Sequence, residues 1–95
     1  MTHYVLMKFV PGADLNTIEA RIRATYAELD AALPYLHQPQ ILLNCVERDS
    51  NADLMVCLNL DSPEDLQPYL THPLHLQMAQ DLKNQIVART SFDHM

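Results

Sequence analysis

Glycine is almost missing from this chain: Gly12 is the only one in 95 residues. A loop that cradles phosphates needs several glycines in a fixed pattern, so P-loop and dinucleotide-binding chemistry are excluded, and no Ser-His-Asp order stands out in their place. Basic residues are scarce as well. Six Lys and Arg face twelve Asp and Glu, a net charge of −6, and Lys8, Arg21, Arg23, Arg48, Lys83 and Arg89 are scattered, so a nucleic-acid backbone would be repelled. Long hydrophobic runs are absent too. Leu54 to Leu58 is the longest, five residues against about 20 for a bilayer span. The opening Met-Thr-His-Tyr has neither the basic start nor the apolar stretch of a secretion signal, so the expected location is the cytoplasm. The two cysteines, Cys45 and Cys57, lie in apolar segments with no metal spacing and are read as small, reduced core residues.

The apolar content, 48% hydrophobic against 19% charged, is enough for a packed core, and the length suits one domain over residues 1–95. Residues 2–10 are rich in β-formers and end at the Pro11-Gly12 turn. Leu15, Ile18, Ile22, Tyr26, Leu29 and Leu33 then recur at three and four, predicting a long amphipathic helix capped by Asp14 or Asn16 and stopped at Pro34. Glu19, Arg23, Glu28 and Asp30 fall on its solvated side. Residues 36–47 form a strand with an irregular start at Pro39, and a polar turn at 48–51 returns the chain as an antiparallel strand over 52–60. Ser62 and Pro63 begin a short helix. It breaks near Thr71-His72, because the residue before Pro73 is disfavoured in helical geometry, and Pro73 opens another helix striped by Leu74, Met78 and Leu82. Residues 86–93 form the last strand.

Strand, helix, strand, strand, broken helix, strand is the βαββαβ order of an α+β ferredoxin-like sandwich, with a four-stranded antiparallel sheet and helices on one face. The third strand carries Leu54, Val56, Leu58 and Leu60 on one side, but Met55, Cys57 and Asn59 on the other instead of charges. Nothing remains in the chain to cover that second side, which predicts a homodimer packed sheet against sheet.

Two segments carry a family resemblance. The first strand, His3-Tyr4-Val5-Leu6-Met7-Lys8-Phe9, and the stretch from Leu60 to His75, with Tyr69, His72, Pro73 and His75 after an acidic helix start, resemble the stress-responsive dimeric α/β-barrel (Dabb) domain over nearly the whole chain. The resemblance implies a dimeric α+β barrel closed by two sheets. It also implies a pocket like that of the plant member olivetolic acid cyclase, which closes a linear polyketide by aldol condensation between helices and sheet. The cyclase's acid–base pair corresponds to Tyr69 and His75 and its strand-one histidine to His3, while Leu54 stands where it has a further pocket histidine.

The residues themselves support the same pair. A histidine titrates near neutrality and can take a proton from carbon or hydroxyl, and a tyrosine hydroxyl can polarise a carbonyl. Tyr69 and His75 flank the helix break, so both can face one cavity, expected at about 300 Å³ or more. His3 shares a strand face with Val5, Met7 and Phe9 and can reach the same space, walled by Tyr26, Met7 and Met78. His72 and His75 lack a third ligand at metal spacing, so no metal is expected, and no cofactor. The expected function is binding of a small carbonyl-bearing or partly apolar molecule, with lyase or cyclase chemistry. The alternative is a non-catalytic, stress-associated dimer whose pocket is filled by its own side chains.

Overall fold

A computed structural model describes residues 1–95. The elements are β1 (Thr2–Phe9), α1 (Leu15–Ala32), β2 (Leu36–Leu43), β3 (Leu54–Leu60), α2 (Leu66–Leu70), α3 (Pro73–Leu82) and β4 (Ile86–His94), with single 3₁₀ turns leading into α2 and out of α3. The four strands form one antiparallel sheet in the order β2-β3-β1-β4, so the ferredoxin-like expectation holds.

The apolar stripe of α1 does what its period dictates. Ile18, Ile22, Tyr26, Leu29 and Leu33 are buried, and only Leu15, at the helix start, is left exposed. They meet Met7, Phe9, Ile41, Leu54, Val56, Leu58 and Leu60 from the sheet and Tyr69, Met78 and Leu82 from the second helical segment in one core. Asp14 caps α1 by accepting from the Thr17 backbone N–H and hydroxyl. These bonds hold its carboxyl below the usual range. Asp14→Ala is therefore expected to lower the melting temperature by a few degrees, measured by circular dichroism at neutral pH, with a smaller difference in acid where the carboxylate is protonated.

Two departures from regularity shape the strands. Pro39 has no N–H to give the ladder, and the register of β2 against β3 shifts between His37 and Gln40, with Gln38 at φ 53°. β2 also ends at Leu43, four residues before the expected Glu47. The reason lies in Asn44, whose side chain bonds the backbone of Val46 and the amide of Asn51 and so turns the chain early.

The break at Pro73 occurs where expected. His72 stands outside helical geometry at φ −61°, ψ 138°, and its Nδ1 accepts from the Leu74 backbone N–H at 3.1 Å, capping α3. Ahead of α2, the Ser62 N–H donates to Asp65.

The helical layer is off-centre. α1 packs over β2 and against α3, and no helix covers β4 comparably; from Val87 onward every β4 residue is exposed. On the opposite sheet face Tyr4, Leu6, Leu42, Met55, Cys57 and Phe92 stand together by their pairing, with Leu42 45% and Phe92 60% exposed.

Candidate functional site

Between the helices and the β1–β4 half of the sheet lies a cluster of polar rings. His3 is buried, and its Nδ1–H donates to the Asp93 carboxylate at 2.5 Å. That carboxylate fixes the tautomer and leaves Nε2 as the basic nitrogen. The His3 ring meets Tyr69 edge-on, centroids 5.7 Å apart, and Tyr69 meets His75 edge-on at 4.9 Å. The break at Pro73 makes this possible: in an unbroken helix, six residues would put Tyr69 and His75 about 120° apart around the axis. The Tyr69 hydroxyl is hydrogen-bonded to that of Tyr26, 2.5 Å away.

The electrostatics separate the members. Burial drives the Tyr26 phenol up to about 12, and burial together with Tyr26 drives Tyr69 higher still, so both hydroxyls keep their protons near neutrality. His75 moves the other way. Burial lowers its pKa, with Arg89 and His3 adding to the effect and the Leu70 backbone opposing it. His75 Nδ1 is buried and makes no hydrogen bond, although the Leu70 backbone lies near enough to favour the protonated ring. An unpartnered buried ring nitrogen is uncommon enough to demand a reason, and a neutral imidazole with a free nitrogen is what a general base requires.

The expected residues are thus together, but the space expected between them is closed. Tyr69 is completely buried, and Tyr26, Met7 and Met78 are 5% exposed or less, so no cavity of the expected size stands at Tyr69; side chains fill the space. Met7 and Met78 are core residues, and Tyr26 contributes its hydroxyl as well as an apolar wall. Two residues went unnoticed in the sequence: Asp93, which orients His3, and Arg89, whose charge reaches Tyr26, Tyr69 and His75. Arg89, Ser91 and Asp93 alternate along β4, paired with Met7, Val5 and His3, so the signal was a polar strand face opposite a histidine. His72, in contrast, is spent on its cap.

The sequence model of the stress-responsive A/B barrel domain, Dabb, matches residues 1–95. The chain belongs to the Dabb family. No curated protein matches the Dabb chain in sequence. Among solved structures it is similar to a dimeric protein of unknown function with a ferredoxin-like fold from Bacteroides fragilis, at TM-score 0.83 and 19% identity over 98% of this chain and 92% of that one. A dimeric ferredoxin-like protein from Thermobifida fusca gives TM-score 0.79 at 21% identity, covering 96% and 85%. A hydroxynitrile lyase from Passiflora edulis gives TM-score 0.78 at 14% identity, covering 98% and 89%. At these identities the likeness establishes the fold, which this Dabb domain shares with a lyase and with proteins of no assigned role.

Proposed function

We propose that this Dabb protein is a cytoplasmic homodimer that binds a small carbonyl-bearing, partly apolar molecule and moves a proton on it without a cofactor, in lyase- or cyclase-type chemistry. The observation that carries the proposal is the buried, unpartnered Nδ1 of His75 in edge contact with Tyr69. In this reading neutral His75 takes the proton. Tyr69, kept protonated and bonded to Tyr26, donates to the oxygen where negative charge develops. His3, held by Asp93, offers a second polar contact. Because Tyr69 is fully buried, this reading requires the packing around it to open to substrate, from the β4 side where the helical layer stops.

The test is a turnover screen with the full-length protein on a cyanohydrin such as mandelonitrile and on linear polyketones, followed by absorbance and NMR. Rate enhancement over buffer supports the proposal. Its absence across both classes favours the second reading, a non-catalytic stress-associated dimer, which the complete burial of Tyr69 supports.

Assembly has its own test. The apolar outer sheet face and the dimeric neighbours support sheet-to-sheet pairing. Light scattering at micromolar concentration is expected to give a dimer mass, and Met55→Asp, placing a charge at the centre of that face, a monomer.

A further inference from the structure

We infer that the cleft between α3 and β4 seats a carboxylate carried by the substrate, so that the molecule reaching His75 is an oxo acid instead of a neutral carbonyl compound. The cleft, about 380 Å³, is lined by Leu76, Ala79, Gln80, Lys83, Ile86 and Arg89. It holds two cations and no acid in a chain of net charge −6.

Three of the other basic residues are occupied and the fourth, Arg48, is free but surrounded by acids. Lys8 donates to the Asp49 and Asn51 carbonyls, Arg21 pairs with Asp81, and Arg23 binds Glu19 and the Ile41 carbonyl. Arg48 lines a cleft that also contains Glu47, Asp49 and Asp53. Lys83 and Arg89 make no side-chain hydrogen bond or ion pair. Lys83 follows the last residue of α3, where its charge cancels the negative helix end that would otherwise repel an anion. Arg89 has no such structural task, and its planar fork matches a carboxylate.

Position ties the cleft to the ring cluster. Leu76, Ala79, Gln80 and Lys83 form one face of α3, and His75 lies one turn before Ala79, about 6 Å along the axis. Arg89 pairs with Met7 and so shares the sheet face of His3 and Asp93, and its charge helps lower the His75 pKa. In this placement a substrate whose carboxylate sits at Arg89 extends along α3 toward His75, with Leu76 and Ile86 beside its chain.

The inference rests on the proposed roles of His75 and Tyr69 for where the carbonyl sits, but not for the anion seat. The test titrates isotope-labelled full-length protein by NMR with 4-benzoylbutyrate and with its methyl ester, which keeps the ketone and loses the charge. The acid is expected to shift the amides of residues 76–83 and 86–89 and to bind about tenfold or more tightly than the ester. Arg89→Gln, at an exposed position, is expected to bring the acid down to the ester's affinity. Equal binding of acid and ester, undiminished acid binding by Arg89→Gln, no acid binding at millimolar concentration, or inorganic phosphate matching the acid overturns the seat. Acid binding that depends on Arg89 in a protein with no turnover leaves the seat standing and removes the catalytic reading. Turnover of an oxo acid that is lost in His75→Ala but proceeds with unchanged KM in Arg89→Gln removes the seat alone.

Discussion

His75→Ala is expected to lower turnover of any substrate found by about 100-fold or more, the usual loss when a general base is removed, while the fold survives and the oligomeric state does not change. The two halves of that expectation share one cause. His75 is half-buried and its Nδ1 has no hydrogen-bond partner, so the ring forms no bond whose loss would leave another buried group unsatisfied. Truncation removes an unpartnered polar atom as well as some packing, and a structural role would show instead as destabilisation with turnover intact. The pH dependence separates the cases further. Because burial, Arg89 and His3 hold the folded pKa of His75 below its ordinary 6.5, the unfolded chain takes up this proton first as the pH falls. The stabilisation is fully present above 6.5 and is lost as the pH drops from there towards the folded value. Denaturant titrations between pH 7.5 and about 5 should show a wild-type stability that falls more steeply than that of His75→Ala. Equal slopes would mean that the ring is no more buried than in the unfolded chain.

Leu58→Ala carries a large expected cost in stability. Leu58 is fully buried on β3 and pairs directly with His3 across the sheet, so its loss opens a cavity below the ring cluster. Leu-to-Ala changes at such sites cost about 2–5 kcal/mol. A domain of this length has a total of about 5–14 kcal/mol, so the variant forfeits a large fraction of it. Chemical denaturation at fixed protein concentration measures the loss, and a change under about 1 kcal/mol would mean that the core around β3 collapses to refill the space. Catalysis should suffer too if turnover exists, because the cavity lets His3 and Tyr69 shift.

The fold was legible because its signals are local. The 3–4 spacing in α1 and the break before Pro73 each depend on residues within one or two turns, and the irregularity in β2 is written in Pro39. The early end of β2 was harder, since it turns on Asn44 bonding to Val46 and Asn51 more than on any hydrophobic pattern. In the site, residue types gave His75, Tyr69 and His3, but not the bonds that define their states. Tyr26 and Tyr69 are 43 positions apart and His3 and Asp93 are 90 apart, and nothing in a one-dimensional pattern says which distant hydroxyl or carboxylate will arrive. Occupancy was equally hidden. Whether a space between helices and sheet stays open or is closed by a tyrosine depends on packing to within a fraction of an ångström.

The bare strand β4 has a consequence for the protein's life before assembly. It is nine residues long and the outermost of the sheet, so one whole row of its backbone N–H and C=O groups is unpaired within the chain and can template another strand. In the proposed dimer, a chain that has folded but not yet paired carries this edge beside the apolar sheet face, and two encounters compete: orderly pairing and strand-by-strand misassembly. Both accelerate with concentration. The interval between release from the ribosome and assembly is the stage at which a chaperone that covers β-edges would most increase the yield.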